Sequence, residues 1–257
     1  MNAVIVTQEE PFYIPVFLSK VLADYNKVIA VIILKGTPKG FTALSYIKRL
    51  YEVFGLRDFI AYGVLFMRYK LLNRLTMWRQ FGRFYSVKSA ARRNSIPVYK
   101  VKDINGQKSL RLLKTLRPDV IVSVAAPQIF KKRVINSAKY IINIHAALLP
   151  KYRGMMPSFW VLAKGEEKTG LTVHHMNEHV DTGDAILQET IDISPQDTLH
   201  SLQIKVANVG SAVLLEALKK IKDGNGSGFT LEGEGSYYSF PTNEAAKELK
   251  ARGRRFI

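Results

Sequence analysis

Two nearly continuous apolar runs constrain this chain most: Ala3-Val4-Ile5-Val6-Thr7 and Val28-Ile29-Ala30-Val31-Ile32-Ile33-Leu34. A strand with one wet face alternates apolar and polar residues, whereas a strand covered on both faces does not. Asp119-Val120-Ile121-Val122-Ser123-Val124 is a further strand of the same kind. Helix-length segments separate these runs, and one helix is expected over 14–24, where Val16, Phe17, Leu18, Val21 and Leu22 are apolar. The pattern predicts an α/β fold, a Rossmann-like, doubly wound and mostly parallel sheet.

Weaker signals complete the outline. Ser95-Ile96-Pro97-Val98-Tyr99 reads as a third strand, followed by a helix around Leu110. Strands are expected over 140–144, 169–176 and 184–193, and a long helix over 199–221, with Leu202, Val206, Val209, Val213, Leu214 and Leu218 at helical spacing. Gly224–Gly228 falls after a charged helix, so it reads as a turn, and Thr7-Gln8-Glu9-Glu10-Pro11 has no glycine fingerprint. Dinucleotide binding is therefore disfavoured. Residues 1–221 form the expected main domain, and 222–257 a short extension that ends in the basic stretch 247–255.

Residues 43–86 break the rhythm. They are basic and aromatic, with Tyr46, Tyr51, Phe54, Phe59, Tyr62, Phe66, Tyr69, Trp78, Phe81, Phe84 and Tyr85. Inserted helices are expected there, between the second and third strands. The plain expectation is a cap whose apolar side packs on the domain; a face for a membrane surface or an acidic partner is the alternative.

The 257 residues contain no cysteine, which excludes disulfides and thiolate chemistry. The first residues lack the features of a signal peptide and no apolar run is long enough to span a bilayer, so a cytoplasmic enzyme is expected. The formal charge is +17, with 12 Lys/Arg against 2 Asp/Glu between Ala43 and Lys100. Such a balance favours anionic partners: nucleotides, phosphosugars, tRNA or an anionic membrane surface.

Chemistry concentrates after Tyr140-Ile141-Ile142. Asn143 and His145 are two apart, so on a strand they share one face, at the carboxyl end where open α/β sheets bind ligands. An amide that donates hydrogen bonds beside an imidazole that moves protons suits attack on a carbonyl. His174 ends a later strand. Asp181, in the turn Val180-Asp181-Thr182-Gly183, is in reach of His145 and would orient it and raise its pKa. The alternative is that both only satisfy backbone groups. His175 and His179 are four apart, but on a strand entering a turn they make a poor metal site, and no metal is implied.

Taken in order, these residues resemble the 10-formyltetrahydrofolate-dependent formyltransferases. The matching text is Asn143-Ile144-His145, Leu148-Leu149-Pro150, Tyr152-Arg153-Gly154, Pro157, Thr169-Gly170-Leu171-Thr172-Val173-His174 and Val180-Asp181-Thr182-Gly183. The resemblance implies a formyltransferase with 10-formyltetrahydrofolate as cosubstrate. It makes Asn143, His145 and Asp181 catalytic, with His174 a secondary orienting group. Asn143 and His145 would stabilise the oxyanion, and Asp181 would help move the proton off the attacking amine. The pterin would lie against Ala125, Ala126, Pro127 and Ile129 on one side and Val180, Thr182 and Gly183 on the other. Ala146-Ala147 replaces the Pro-Ser pair common after the histidine, which removes one hydroxyl.

Tyr152, Arg153 and Gly154 are expected at the acceptor. Their form is similar to the branch that acts on methionyl-tRNA and amino sugars, more than to the phosphoribosylglycinamide branch. Initiator-tRNA formyltransferases usually carry a C-terminal barrel, for which residues 222–257 are too few, although the charge favours tRNA. The expected acceptor is therefore an anionic amine, an amino sugar on a nucleotide carrier. Alternatives are methionyl-tRNA formylation, phosphoribosylglycinamide formylation, formyltetrahydrofolate hydrolysis, and a non-catalytic RNA or membrane-surface binder.

Overall fold

The computed structural model describes residues 1–37, 40–76 and 82–257. Strands β1 (Ala3–Gln8), β2 (Val28–Leu34), β3 (Val98–Val101), β4 (Val120–Val124), β5 (Tyr140–His145), β7 (Lys168–His175) and β8 (Ala185–Asp192) form one sheet in the order β3-β2-β1-β4-β5-β7-β8. The first five are parallel, while β7 runs antiparallel to both β5 and β8. A second, two-stranded sheet joins β6 (Arg153–Gly154) to β9 (Tyr237–Tyr238).

Period-two alternation sends each strand's side chains to two cores. Ile5, Val31, Val122 and Ile142 enter the larger core, under α1 (Ile14–Asp24), α3 (Val87–Arg93), α6 (Pro157–Lys164) and α7 (Leu199–Lys222). Val4, Ile32 and Ile121 enter the smaller one, under α4 (Gln107–Leu116) and α5 (Lys132–Ile135). The continuous apolar runs are thus explained: β1, β2 and β4 are buried on both faces. Each buried Val or Ile contributes about 1.5–3 kcal/mol relative to exposure. The third strand lies later than expected, because Ser95 turns at φ 55° and the strand starts only after Pro97.

Where a glycine-rich turn would leave the start of α1 open to an anion, Glu10 fills it. Its carboxylate accepts from the backbone N–H groups of Phe12 (2.7 Å), Tyr13 (2.8 Å) and Ile14. The Glu10 carboxyl group, which burial pushes up to about 7 against these three donors, thus occupies the helix N-terminus that in dinucleotide-binding folds holds a phosphate.

The insertion forms α2 (Ala43–Thr76), broken at Gly55, where φ is 75° and ψ 167°. Trp78 and Phe81 lie outside the described residues. The expected apolar packing side is only half the picture. Aromatic rings of α2 pack inward: Phe54 lies against Tyr62 and Phe256 (4.9 and 4.7 Å between centroids), and Tyr69 against Phe12 and Tyr85. Val53 is buried with them, but Leu44, Leu56, Val64, Met67 and Leu75 face out and are all more than 60% exposed.

Residues 222–257 do not stand apart from the sheet. Phe240, Phe256 and Leu249, the last on α8 (Asn243–Ala251), are buried in the larger core, and α8 packs on α6 and α2.

Candidate active site

Asn143 and His145 follow Ile141 on the face of β5 that looks toward the smaller core. Of the two helices on that side, α5 has a single turn. Its Val134 shares a core with Ile141 and leaves the end of the strand to polar residues. On the neighbouring β7, Thr172 and His174 are paired directly with His145 and Asn143. Four polar side chains therefore converge at one sheet end, and the turn after β7 brings Asp181 onto them.

Asp181 takes a left-handed backbone conformation, φ 52°, which short polar residues tolerate. Its Oδ2 accepts from the Gly154 N–H at 2.9 Å and lies 3.5 Å from His145 Nδ1; its Oδ1 lies 3.4 Å from Asn143 Nδ2 and 3.5 Å from His174 Nε2. Burial acts to raise the Asp181 carboxyl, but the neighbouring imidazoles and the Gly154 N–H outweigh it and hold it at about 2. It is therefore a carboxylate at neutral pH.

Carbonyl partners fix the histidine tautomers, because a carbonyl only accepts. His174 Nδ1 donates to the His175 carbonyl (2.8 Å), so in the neutral ring Nε2 carries the lone pair and accepts from Asn143 Nδ2 at 3.2 Å. Asn143 thus supplies both amide hydrogens to separate two acceptors, His174 Nε2 and Asp181 Oδ1. At 3.2 and 3.4 Å these contacts are long, and a substrate oxygen can take one over. His145 Nε2 donates to the Tyr152 carbonyl (2.8 Å), which leaves Nδ1 facing Asp181. Burial lowers the His145 pKa below the usual histidine range, against the opposing pull of Asp181. The free ring is neutral, and a proton arriving at Nδ1 points at a carboxylate.

The segment Tyr152-Arg153-Gly154 sits beside this group, with a different emphasis from the expected acceptor contact. Tyr152 and Gly154 hold His145 and Asp181 through their backbone. The Tyr152 ring turns into the protein, stacks on Tyr238 (5.5 Å) and donates its hydroxyl to Glu166. Arg153 is half-buried, with Nε 3.5 Å from the Ser236 carbonyl oxygen. Gly154 is required as glycine: φ is 100°, and a Cβ would collide with the Tyr238 carbonyl oxygen across the β6–β9 pair. Gly183 is held similarly, against the His175 carbonyl.

The residues expected at a pterin lie on the segment after β4 and on the turn that carries Asp181. Ala125, Ala126, Pro127 and Ile129 follow the carboxyl end of β4, whose Val124 pairs with Ile144. Val180 and Thr182 flank Asp181, and Thr182 donates to Asn177 at 2.9 Å, tying the turn to itself. His175 donates to the Gly226 carbonyl (2.7 Å), while His179 is exposed on the loop.

Three further residues, not singled out from the sequence, hold this region in place. The buried Thr172 hydroxyl donates to the Ala147 carbonyl (2.7 Å) and accepts from Leu149 N–H (3.1 Å) and Gln188 (2.9 Å). Gln188 also donates to the Leu149 carbonyl (2.8 Å), so the two side chains fasten the loop after His145. Ser236, distant in the chain, accepts from Tyr152 N–H through its hydroxyl (2.9 Å) and from Arg153 N–H through its carbonyl (2.9 Å). Thr172 lies inside a motif that carries the resemblance; for Gln188 and Ser236 only the folded chain shows the contact.

The α/β fold thus gathers an amide, two imidazoles and a carboxylate at one end of a mostly parallel sheet, a set able to donate hydrogen bonds and to move a proton. Residues 78–218 match the family described as Formyl transferase, and the chain belongs to that family. It is 43% identical over 140 residues to a methionyl-tRNA formyltransferase of Clostridioides difficile, a match covering 54% of this chain and 45% of that protein. The chain thus spans about half the length of the relatives it matches in sequence. The fold is shared with an N-formyltransferase from Helicobacter canadensis, solved with folinic acid and dTDP-3-aminofucose. That likeness has a TM-score of 0.61 at 18% identity and covers 98% of this chain and 80% of the other. It is shared equally with a glycinamide ribonucleotide transformylase from Symbiobacterium toebii, with a TM-score of 0.60 at 17% identity and 92% of each chain covered.

Proposed function

We propose that this chain transfers the formyl group of 10-formyltetrahydrofolate to a primary amine. The observation that carries the reading is the position of Asp181, 3.5 Å from His145 Nδ1 and 3.4 Å from the Asn143 amide. The amine nitrogen attacks the formyl carbon, and Asn143 redirects one amide hydrogen bond to the oxygen as it becomes negative. The new ammonium loses its proton to His145 Nδ1, where the Asp181 carboxylate stabilises the imidazolium. The carbon–nitrogen bond to the folate then breaks, and N10 takes that proton from His145. His174 holds Asn143 in place throughout. Residues 125–129 and 177–184 form the two walls for the pterin.

We take the acceptor to be an amino sugar on a nucleotide carrier. The Tyr152-Arg153-Gly154 form supports this reading, as does a basic surface suited to a diphosphate. A second reading, methionyl-tRNA, is favoured by the names of the relatives that match in sequence and by the same charge. Mass spectrometry of candidate amines incubated with the protein and 10-formyltetrahydrofolate tests both: the product gains one CO. A gain on charged initiator tRNA, with none across a panel of nucleotide-linked amino sugars, would overturn the first reading. No gain on any amine, with steady release of formate, would replace formyl transfer with hydrolysis.

A further inference from the structure

The outward face of α2 has no role in this chemistry. After the break at Gly55, Leu56, Ile60, Val64, Met67, Leu71 and Leu75 recur every three or four residues, so they share one face of the helix. Leu44, Ile47 and Tyr51 repeat the pattern before the break. Among the described residues α2 carries ten of the fifteen exposed large apolar side chains, and all but Phe66, which lies against Phe12, fall in these repeats, so they form a stripe rather than the usual scatter. The opposite face is already occupied: Tyr62 and Tyr69 pack on Phe12, with Tyr62 also facing His200.

Charge decides what covers the stripe. Arg57, Arg68, Lys70 and Arg74 are exposed along the same stretch. None of them pairs with a carboxylate among the described residues. The one acid of the stretch, Asp58, is 3.4 Å from Lys250. At the break, Leu56, Arg57, Lys250, Arg254, Arg255 and Ile257 border an open cavity of about 410 Å³. Lys250 and Arg254 spend donors on backbone carbonyls, whereas Arg57 and Arg255 are exposed and unpaired with acids. A second copy laid on the stripe would bring two sets of these cations together, in a chain that already carries +17. An anionic lipid surface matches both halves: its apolar boundary receives the aliphatic stripe, and its phosphates meet the cations, whose long stems reach outward. Among the described residues no helix is long and apolar enough to cross a membrane, so α2 would lie in the surface.

We propose that α2 is an interfacial helix that docks this protein on anionic lipid, with a headgroup phosphate in the basic cavity beside Gly55. Flotation of the full chain with phosphatidylcholine vesicles, with and without phosphatidylglycerol, tests this, and the readout needs no turnover. The chain is expected to float only with the phosphatidylglycerol vesicles. Replacing both Ile60→Gln and Met67→Gln, which alters no charge, is expected to weaken binding about tenfold or more. Replacing Arg57→Gln and Arg255→Gln is expected to weaken it several-fold; all these side chains are exposed, and circular dichroism checks the fold of each variant. Equal flotation with neutral vesicles, or unchanged binding by the Ile60/Met67 variant, would overturn the proposal. So would a lipid-free dimer, seen by sedimentation, that the Ile60/Met67 substitutions dissolve; the stripe would then belong to a second copy.

Discussion

His174 Nε2 lies 3.2 Å from Asn143 Nδ2 because the two residues face each other across the antiparallel β5–β7 pair. The sheet register, rather than a loop, sets the direction of the Asn143 amide. His174→Phe keeps the ring volume and removes the acceptor. It is expected to lower kcat for formyl transfer by about tenfold to a hundredfold through misorientation. His174→Gln, which keeps an acceptor, is expected to recover part of the loss, as steady-state kinetics of the two variants would show.

Asp181→Asn keeps the shape of the side chain and removes its charge. The expected loss in kcat is about 10²–10⁴, the range for a positioned proton-transfer group. The pH profile adds a signature that a packing defect does not give. His145 is lowered by burial and raised by Asp181, so the acid limb of kcat/KM is expected below the ordinary histidine range in the native enzyme. Removing the carboxylate takes away the raising influence, and the limb is expected to move lower still.

The same carboxylate makes stability depend on acid. Its folded-state pKa is about 2 against 3.8 for the free group, so the unfolded chain binds the proton more readily. The stabilisation is full above pH 3.8 and is lost as pH falls through about 2. Between those values the native protein is expected to lose Tm more steeply than Asp181→Asn, measured by thermal unfolding across a pH series.

Gly154→Ala places a Cβ into the Tyr238 carbonyl at a positive φ. Strain of this kind costs about 1–3 kcal/mol. The variant is expected to melt several degrees lower and to lose activity as well, since the Gly154 N–H leaves Asp181. A variant with native Tm and native kcat would contradict the contact.

Thr172→Val is nearly isosteric but deletes a buried hydroxyl with three hydrogen-bond partners. Leaving the Leu149 N–H without its acceptor is expected to cost about 1–3 kcal/mol, read by denaturant unfolding. Substrate KM is expected to change more than kcat if the loop after His145 loosens while His145 itself stays on Tyr152.

Much of this fold is legible in the sequence because burial on two faces leaves a local trace. Helix α1 and strand β2 fall at the expected positions, where one apolar period runs without interruption. The pairing of Asn143 with His145 follows from strand alternation alone. Other parts depend on contacts between distant residues. The strands β6 and β9 have two residues each, too few for a pattern, and exist only because Tyr237–Tyr238 returns to Arg153–Gly154. In α2 the aromatic and aliphatic residues have the same apolar signature, so hydrophobicity alone does not say that Phe54 and Tyr69 turn in while Leu56, Val64, Met67 and Leu75 turn out. Tyr152 shows a similar limit: its place in the chain marks the site, but only the fold shows its carbonyl on His145 and its ring on Tyr238.

The link between β6 and β9 bears on how the protein is born. Every side chain assigned to chemistry has left the ribosome once Asp181 has, yet the backbone that steadies Asp181 is still unsecured. Ser236 and Tyr238 must be synthesised before they can clasp Arg153 and Gly154. A nascent chain thus holds every side chain of the proposed site well before that site can take its final geometry.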